Sequence, residues 1–254
     1  MNSFSFYENN QNIQIAHRGF SSLYPENTMI AFKKAIKKTK MIELDVAFSK
    51  DAVAVVIHDD TLLRTSNVEK IFPLKKDSHI DEFTLDELKQ LDFSSWFDKN
   101  LKLQTISTLE EVLTFCKKKE VYVNIEIKDL TLSPFHKKAV KKVVKIIDEC
   151  KMSKSVIVSS FVSEYIIQLN KKYKHIKKAF LCENINTLYL LEFLLKYNIE
   201  AFHCSDEIVE EELVQELLEH GIYTCVFTVN DEKRKEELFS WGVKGVFTDN
   251  LSHI

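Results

Sequence analysis

Glycine and proline are scarce in this chain, and several other features are missing. The 254 residues include 4 Gly and 3 Pro, and no low-complexity linker divides the sequence. No apolar run reaches the roughly 20 residues that a transmembrane helix needs, and the N-terminus lacks the basic and apolar regions of a signal peptide. The sequence therefore predicts a cytoplasmic protein with no integral membrane segment.

The charges and the cysteines argue against two further kinds of site. A formal net charge of -3 gives no basic footprint for nucleic acid. The five cysteines are odd in number, and none belongs to a Cys-x-x-Cys pair. We therefore expect reduced thiols and no thiolate metal site.

Short apolar, strand-like runs alternate with amphipathic helical segments along most of the chain. The predicted strands cover residues 13–17, 41–48, 53–58, 121–128, 156–161, 178–182, 201–204, 223–229 and 245–248. The predicted helices cover residues 26–38, 108–119, 134–150, 163–173, 186–197, 210–220 and 231–241. This alternation implies parallel βαβ units, and its repetition to about eight strands predicts an α/β fold, a (β/α)8 TIM barrel.

One stretch breaks the alternation. From about residue 61 to 107 the chain is polar and irregular, with one short helical pattern. We interpret it as a small insertion after the second barrel strand, forming a cap near the strand ends. The predicted organisation is a single domain covering residues 1–254, with the insertion at about 61–107.

Charged and histidine side chains stand where the predicted strands end. In a barrel these ends converge on one mouth, where reactive groups concentrate. Glu43 and Asp45 lie two apart, so they share a face, and the apolar residues between and beside them occupy the other face. Charge that points inward needs a metal or a cationic partner. The candidate set comprises His17, Arg18, Glu43, Asp45, His58, Glu126 and Lys128.

This set is suited to metal-assisted cleavage of a phosphate ester. Three carboxylates make a hard oxygen site that favours Ca²⁺ or Mg²⁺ over Zn²⁺. Arg18 and Lys128 would contact phosphate oxygens. His17 and His58 could move protons to and from the attacking and leaving groups, and Asp59 could orient His58.

Other polar residues receive structural interpretations or weaker functional ones. Pro25-Glu26-Asn27-Thr28 is interpreted as a helix start whose side chains cap free N–H groups, in preference to a catalytic role. His79 in the insertion and His203 in a predicted strand are further candidates to line the site, whereas the remaining histidines are expected on the surface.

Several motifs, in this order, resemble those of the glycerophosphodiester phosphodiesterases. The matching segments are His17-Arg18-Gly19, Pro25-Glu26-Asn27-Thr28, Glu43-Leu44-Asp45-Val46, Val56-Ile57-His58-Asp59, Leu62-Leu63-Arg64-Thr65, Asn124-Ile125-Glu126-Ile127-Lys128, Thr228-Val229-Asn230 and Thr248-Asp249. The resemblance implies a barrel that binds Ca²⁺ or Mg²⁺ and hydrolyses a glycerophosphodiester, a small molecule, to sn-glycerol 3-phosphate and an alcohol.

The resemblance also implies roles for individual residues. By position, the metal ligands would be Glu43, Asp45 and Glu126, the acid–base pair His17 and His58, and the phosphate contacts Arg18 and Lys128. Three positions depart from the family pattern, and one of them is Ser107, which replaces a usual proline. Ala52 replaces a usual glycine, and Phe227 replaces a usual tryptophan that we expect to line the mouth.

Alternative functions stay open at this point. A metal-independent phosphatidylinositol phospholipase C is also a barrel with two histidines, but it would not need three inward carboxylates. Lysophospholipase D activity on lysolipids could use the same chemistry, and an apolar groove beside the mouth would favour it. The third alternative is a non-catalytic barrel that binds phosphate or a metal ion. The alcohol, the native cation, the roles of the two histidines, a cyclic phosphate product and the oligomeric state are not fixed by the sequence.

Overall fold

Eight parallel strands close into a barrel, which confirms the predicted (β/α)8 fold. The computed structural model describes residues 4–184 and 189–251. The strands are β1 (Ile13–Ala16), β2 (Met41–Phe48), β3 (Ala54–Val56), β4 (Tyr122–Ile127), β5 (Val156–Ser160), β6 (Lys177–Cys182), β7 (Ala201–Ser205), β8 (Tyr223–Phe227) and β9 (Gly245–Thr248). All except β3 belong to the barrel, and β1 closes it by pairing with both β9 and β2.

Helices separate most of the barrel strands. They are α1 (Ser5–Asn9), α2 (Met29–Ala35), α3 (Val68–Ile71), α4 (Leu85–Leu88), α5 (Leu109–Lys119), α6 (Ala139–Glu149), α7 (Ser163–Lys172), α8 (Leu190–Lys196), α9 (Glu211–Glu219) and α10 (Glu232–Ser240). The predicted helix over 186–197 is observed as α8, and its first residues lie outside the described part of the chain. Helix α2 begins later than predicted because Thr28 is its N-cap and accepts a hydrogen bond from the Ala31 amide.

Strand β3 is antiparallel to β2 and stands outside the barrel. The turn that joins them places Ala52 in the left-handed region, with φ of 65°. This backbone conformation suits glycine better than alanine, because alanine carries a Cβ. The hairpin runs back along β2 from its carboxyl end to the level of Asp45, whose carbonyl oxygen accepts a hydrogen bond from the Ile57 amide. His58 therefore follows β3 beside the barrel mouth.

The segment between β3 and α5 contains α3, α4 and two short 3-10 turns, Pro73–Lys75 and Ile80–Glu82. Although its sequence is largely polar, its apolar side chains are not scattered over the surface. They pack with residues of β2 and β3 into a small cluster that includes Val55, Ile57, Leu62, Phe83 and Leu88. This cluster fixes the start of the segment, and therefore Arg64, against the hairpin.

The lower part of the barrel interior is apolar and is covered by the N-terminal helix. Phe4, Phe6 and Tyr7 are buried there with inward residues of several strands. His203 lies among them, fully buried, with its Nε2 atom 3.4 Å from the Tyr7 hydroxyl oxygen. Burial lowers the pKa of His203 to about 3. In the described ranges no helix combines the length and the apolar character that crossing a membrane requires.

Candidate active site

The turn after β1 presents His17 and Arg18 to the barrel mouth. Gly19 has φ of 88°, and a Cβ on it would stand 2.8 Å from the Cβ of Ala31, so only glycine fits this close approach to α2. The Asn27 amide donates to the Arg18 carbonyl oxygen, which ties the turn to the loop before α2. The His17-Arg18-Gly19 motif is therefore a tight turn that aims two functional side chains at one point.

Three carboxylates form the floor of the mouth. Glu43 and Asp45 project inward from β2, and Glu126 projects from β4, where it is the register partner of Asp45. Their ligand atoms all lie within 4.8 Å of one another, and the first two side chains are buried. The structure thus brings together the three residues that the sequence singled out as metal ligands.

Cationic and amide donors balance part of this negative charge. Lys128 Nζ lies 2.7 Å from Glu126 Oε1 and 3.5 Å from Asp45 Oδ1. Asp45 also accepts a hydrogen bond from Asn27 Nδ2 at 2.8 Å. Burial alone would raise the pKa of Asp45, but the positive charges of Lys128 and Arg18 hold it below its usual value. Asp45 is therefore ionised in the folded protein.

Glu43 is the carboxylate whose charge is least compensated. Its Oε2 atom accepts a hydrogen bond from the Arg18 amide at 2.6 Å, whereas the buried Oε1 atom has no hydrogen-bond partner among the described residues. Burial, together with the negative charges of Asp45 and Glu126, raises the pKa of Glu43 well above its ordinary range. A buried acceptor without a donor is costly, and a bound cation would remove that cost.

The two histidines line the same cavity as the carboxylates, and an aspartate orients each ring. His17 Nδ1 lies 2.8 Å from Asp249 Oδ1, and His58 Nδ1 lies 2.8 Å from Asp59 Oδ1. When Nδ1 donates to a carboxylate, the Nε2 atom of each ring is left to exchange a proton in the cavity. Asp59, the partner expected for His58, makes this contact.

A cavity of about 190 Å³ opens above the carboxylates. Its lining includes His17, Arg18, Glu43, His58, Glu126 and Lys128, and Asp45 lies behind them. One wall is apolar and consists of Phe161, Leu181, Phe227 and Phe247, so Phe227 lines the mouth as predicted. A wider outer cavity of about 590 Å³ shares His58, Glu126, Lys128 and Phe161 with the first. Neither His79 nor His203, the two weaker candidates, lines either of these cavities.

The structure places several residues in the site that sequence reasoning did not assign to it. The sequence predicts helix capping by Glu26 and Asn27, but the N-cap is Thr28 alone. Instead, Asn27 binds Asp45, and Glu26 Oε1 accepts a hydrogen bond from Arg18 at 3.0 Å. Asp249, which orients His17, follows the last strand, and its position at a strand end and its place in the Thr248-Asp249 segment were the signals that could have indicated its role.

A second group of described residues also has the spacing of metal ligands, namely Glu26, His58 and Asp59. The place of a cation between them is already taken, because the guanidinium of Arg64 binds both carboxylates. The floor carboxylates, which offer hard oxygen ligands and an acceptor without a donor, are the group that fits a divalent cation.

The site can now be compared with those of known proteins. The sequence model of the glycerophosphoryl diester phosphodiesterase family matches residues 17–253. The chain belongs to this family. It is therefore a hydrolase of phosphodiesters, as the motifs at the strand ends predict.

Individual members of the family match over almost the whole chain. A glycerophosphodiester phosphodiesterase of Caldanaerobacter subterraneus is 34% identical over 240 residues, which cover 93% of each chain. One from Bacillus altitudinis is also 34% identical, with coverage of 92% and 93%. Among solved structures, a phosphodiesterase of Oleispira antarctica, in complex with the product sn-glycerol-3-phosphate, superposes with a TM-score of 0.84 at 25% identity and covers 96% of this chain and 95% of its own.

The raised pKa of Glu43 predicts a pH-dependent effect of metal ions on stability. A carboxyl group whose pKa is raised by folding stabilises the native state at low pH, and this contribution is lost as the pH rises through the raised value. Without divalent cations, the melting temperature should therefore fall as the pH rises above the ordinary glutamate pKa of about 4.3. Added Mg²⁺ or Ca²⁺ should reverse that fall, and the reversal should grow with pH. Thermal melts across pH, with and without chelator, measure both effects, and a cation effect independent of pH would contradict this view of Glu43.

Proposed function

We propose that this protein hydrolyses glycerophosphodiesters to sn-glycerol 3-phosphate and an alcohol, with a divalent cation, Ca²⁺ or Mg²⁺, held by Glu43, Asp45 and Glu126. The carboxylate group with its unpartnered Glu43 oxygen is the observation that carries the proposal. The proposal assigns this activity to one domain, residues 1–254, with residues 61–107 as its insertion. When bound, the cation would polarise a phosphoryl oxygen and offset charge in the transition state.

The side chains of the protein would perform the rest of the reaction. Arg18 and Lys128 line the cavity beside the carboxylates and are the cations placed to contact the other phosphate oxygens. His17 and His58 face the same cavity with their Nδ1 atoms held by aspartates. One Nε2 atom would accept a proton from the attacking hydroxyl, and the other would donate a proton to the departing alkoxide.

The apolar wall of the cavity supports a second candidate activity. Phe161 is 36% exposed and lines both cavities, and Phe227 stands 5.9 Å from it, measured between ring centroids. Such a wall could accept the start of an acyl chain as well as the face of a small alcohol. Lysophospholipids therefore belong in the substrate panel beside the deacylated glycerophosphodiesters.

Two products test the proposed function. Glycerol 3-phosphate is measured for the glycerophosphodiesters of a substrate panel, and the head-group alcohol is measured for a lysophospholipid, whose other product is a lysophosphatidate. The panel should contain choline, ethanolamine, glycerol and inositol diesters together with a lysophospholipid, each assayed with Mg²⁺, with Ca²⁺ and with chelator. We expect turnover that chelator abolishes and added cation restores, because the three floor carboxylates need a cation to act on phosphate. Turnover that persists in chelator would contradict the metal assignment. No turnover on any substrate would favour a binding protein.

A further inference from the structure

Arg64 makes the most extensive set of charged contacts around the mouth, although it lies outside the barrel. Its Nε and Nη2 atoms lie 2.5 Å and 2.8 Å from the two carboxylate oxygens of Asp59. Its Nη1 and Nη2 atoms lie 2.7 Å and 2.8 Å from the two oxygens of Glu26. One guanidinium group therefore binds two carboxylates, each through both oxygens.

In each of these carboxylates, the oxygen that Arg64 Nη2 contacts also contacts one proposed catalytic-site residue. Asp59 binds Nδ1 of His58, and Glu26 binds the guanidinium of Arg18. We propose that Arg64 is a positioning residue that fixes His58 and Arg18 relative to each other through Asp59 and Glu26. This role rests on the proposed function, because it concerns the acid–base histidine and the phosphate contact of that reaction.

The repulsion between the two carboxylates explains why the site needs a cation at this place. Ligand atoms of Glu26, His58 and Asp59 lie within 4.8 Å of one another, so two negative charges stand close together in a partly buried position. Without Arg64, like charges at this distance would move apart. Asp59 would then draw His58 out of place, and Glu26 would draw Arg18 out of place.

The choice of arginine over lysine supports the same role. The sequence contains three arginines, against 32 lysines by subtraction from the 35 basic residues. Arg64 uses the planar fork of the guanidinium on two carboxylates at once, which a single ammonium group cannot do in the same geometry. The aromatic ring of Trp96 lies 5.9 Å from the guanidinium carbon and helps to place it.

Arg64 does not line either cavity, and its side chain is 46% exposed, so its effect on substrate would be indirect. Solvent reaches this guanidinium and screens its two ion pairs, so they contribute less to stability than buried ion pairs do. The consequence of losing Arg64 should therefore appear in catalysis more than in folding. Because small errors in the placement of reacting groups are expensive, we expect kcat to fall by about 10- to 100-fold in Arg64→Ala, while KM changes by less than about threefold.

Chemical rescue tests this role directly. Guanidinium ion, at a concentration that does not denature the protein, should enter the exposed space and restore kcat of Arg64→Ala by at least about threefold, whereas ammonium at equal ionic strength should not. Arg64→Lys should stay at least about tenfold below wild type, because charge without the planar fork cannot hold both carboxylates. In an Asp59→Asn background, the further loss on Arg64→Ala should shrink, since the two residues act as one unit.

Arg234→Ala is the matched control. Arg234 also joins two carboxylates, Asp206 and Glu237, and stands over Trp241, but it contacts none of the proposed site residues. The kcat of the Arg234→Ala enzyme should equal that of wild type. An Arg64→Ala enzyme with kcat within about twofold of wild type, or with a loss that guanidinium does not relieve, would overturn the role. If Arg64→Ala does not fold, wild-type kcat in Arg64→Lys would overturn it instead. An inactive wild-type protein would contradict the proposed function itself.

Discussion

Glu43→Gln should abolish turnover and yet leave the metal-free protein at least as stable as wild type. The amide keeps the shape of the side chain and can still accept the hydrogen bond from the Arg18 amide, but it removes one of three adjacent buried charges. Loss of a charged cation ligand should lower kcat by at least about 1000-fold, or about 4 kcal/mol. Loss of the carboxylate whose pKa is raised by burial should relieve repulsion in the absence of metal.

These opposite effects separate a functional carboxylate from a structural one. Phosphate ester turnover and thermal melting in chelator, both at neutral pH, measure them on the same sample. Glu200→Gln is the control, because Glu200 is a partly buried carboxylate that pairs with Lys177 and Lys178 before β7, away from the mouth. We expect it to retain wild-type kcat. Undiminished turnover in Glu43→Gln would show that Glu43 does not hold a catalytic cation.

His17→Asn and His58→Asn should each reduce turnover of natural diesters by about 10²- to 10⁴-fold, because this is the usual contribution of one general acid or base. The two variants should differ with a substrate whose leaving group is p-nitrophenolate, which departs without protonation. His58 lines both the inner and the outer cavity, whereas His17 lines the inner one alone. We expect the alcohol to leave through the wider outer cavity, and His58, which lines it, to be the general acid.

His58→Asn should therefore recover most of its lost activity with the p-nitrophenyl diester, and His17→Asn should not. Steady-state kinetics of both variants on both substrates decide the matter. Recovery of activity in His17→Asn alone would show that His17 is the general acid and His58 the base. Equal losses in both variants on both substrates would contradict an acid–base pair. His220, which bonds the Glu216 carbonyl oxygen at the end of α9, provides a control histidine whose replacement should change neither rate.

The sequence was sufficient to predict the barrel fold and the direction of the polar side chains on its strands. Periodicity alone placed Glu43 and Asp45 on an inward face, and the parallel register then brought Glu126 beside Asp45. These predictions succeeded because strand geometry leaves side chains few directions to point. The proposed roles of these residues stay predictions until the variants are measured.

The contacts made by loops could not be predicted in the same way. Asn27 and Glu26 follow a proline and precede an N-cap, so local rules assigned both to capping. Their actual partners, Asp45 and Arg64, are fixed by how the loop packs on β2 and on the insertion. The depth of His203 in the barrel could not be predicted for a related reason. The pattern of a strand predicts that a side chain points inward, but it does not predict how deep in the barrel the side chain lies. The His203 ring lies beneath the site, against Tyr7.

The hydrogen bond between His17 and Asp249 joins residues 232 positions apart in the chain. It depends on the pairing of β1 with β9, the contact that closes the barrel. Contacts of such long sequence separation carry a large loop-closure cost and slow the folding of a chain that depends on them. During synthesis, His17 emerges early, but this partner for its ring becomes available only after Asp249 has left the ribosome. Recovery of activity after denaturation should therefore follow the pairing of β1 with β9.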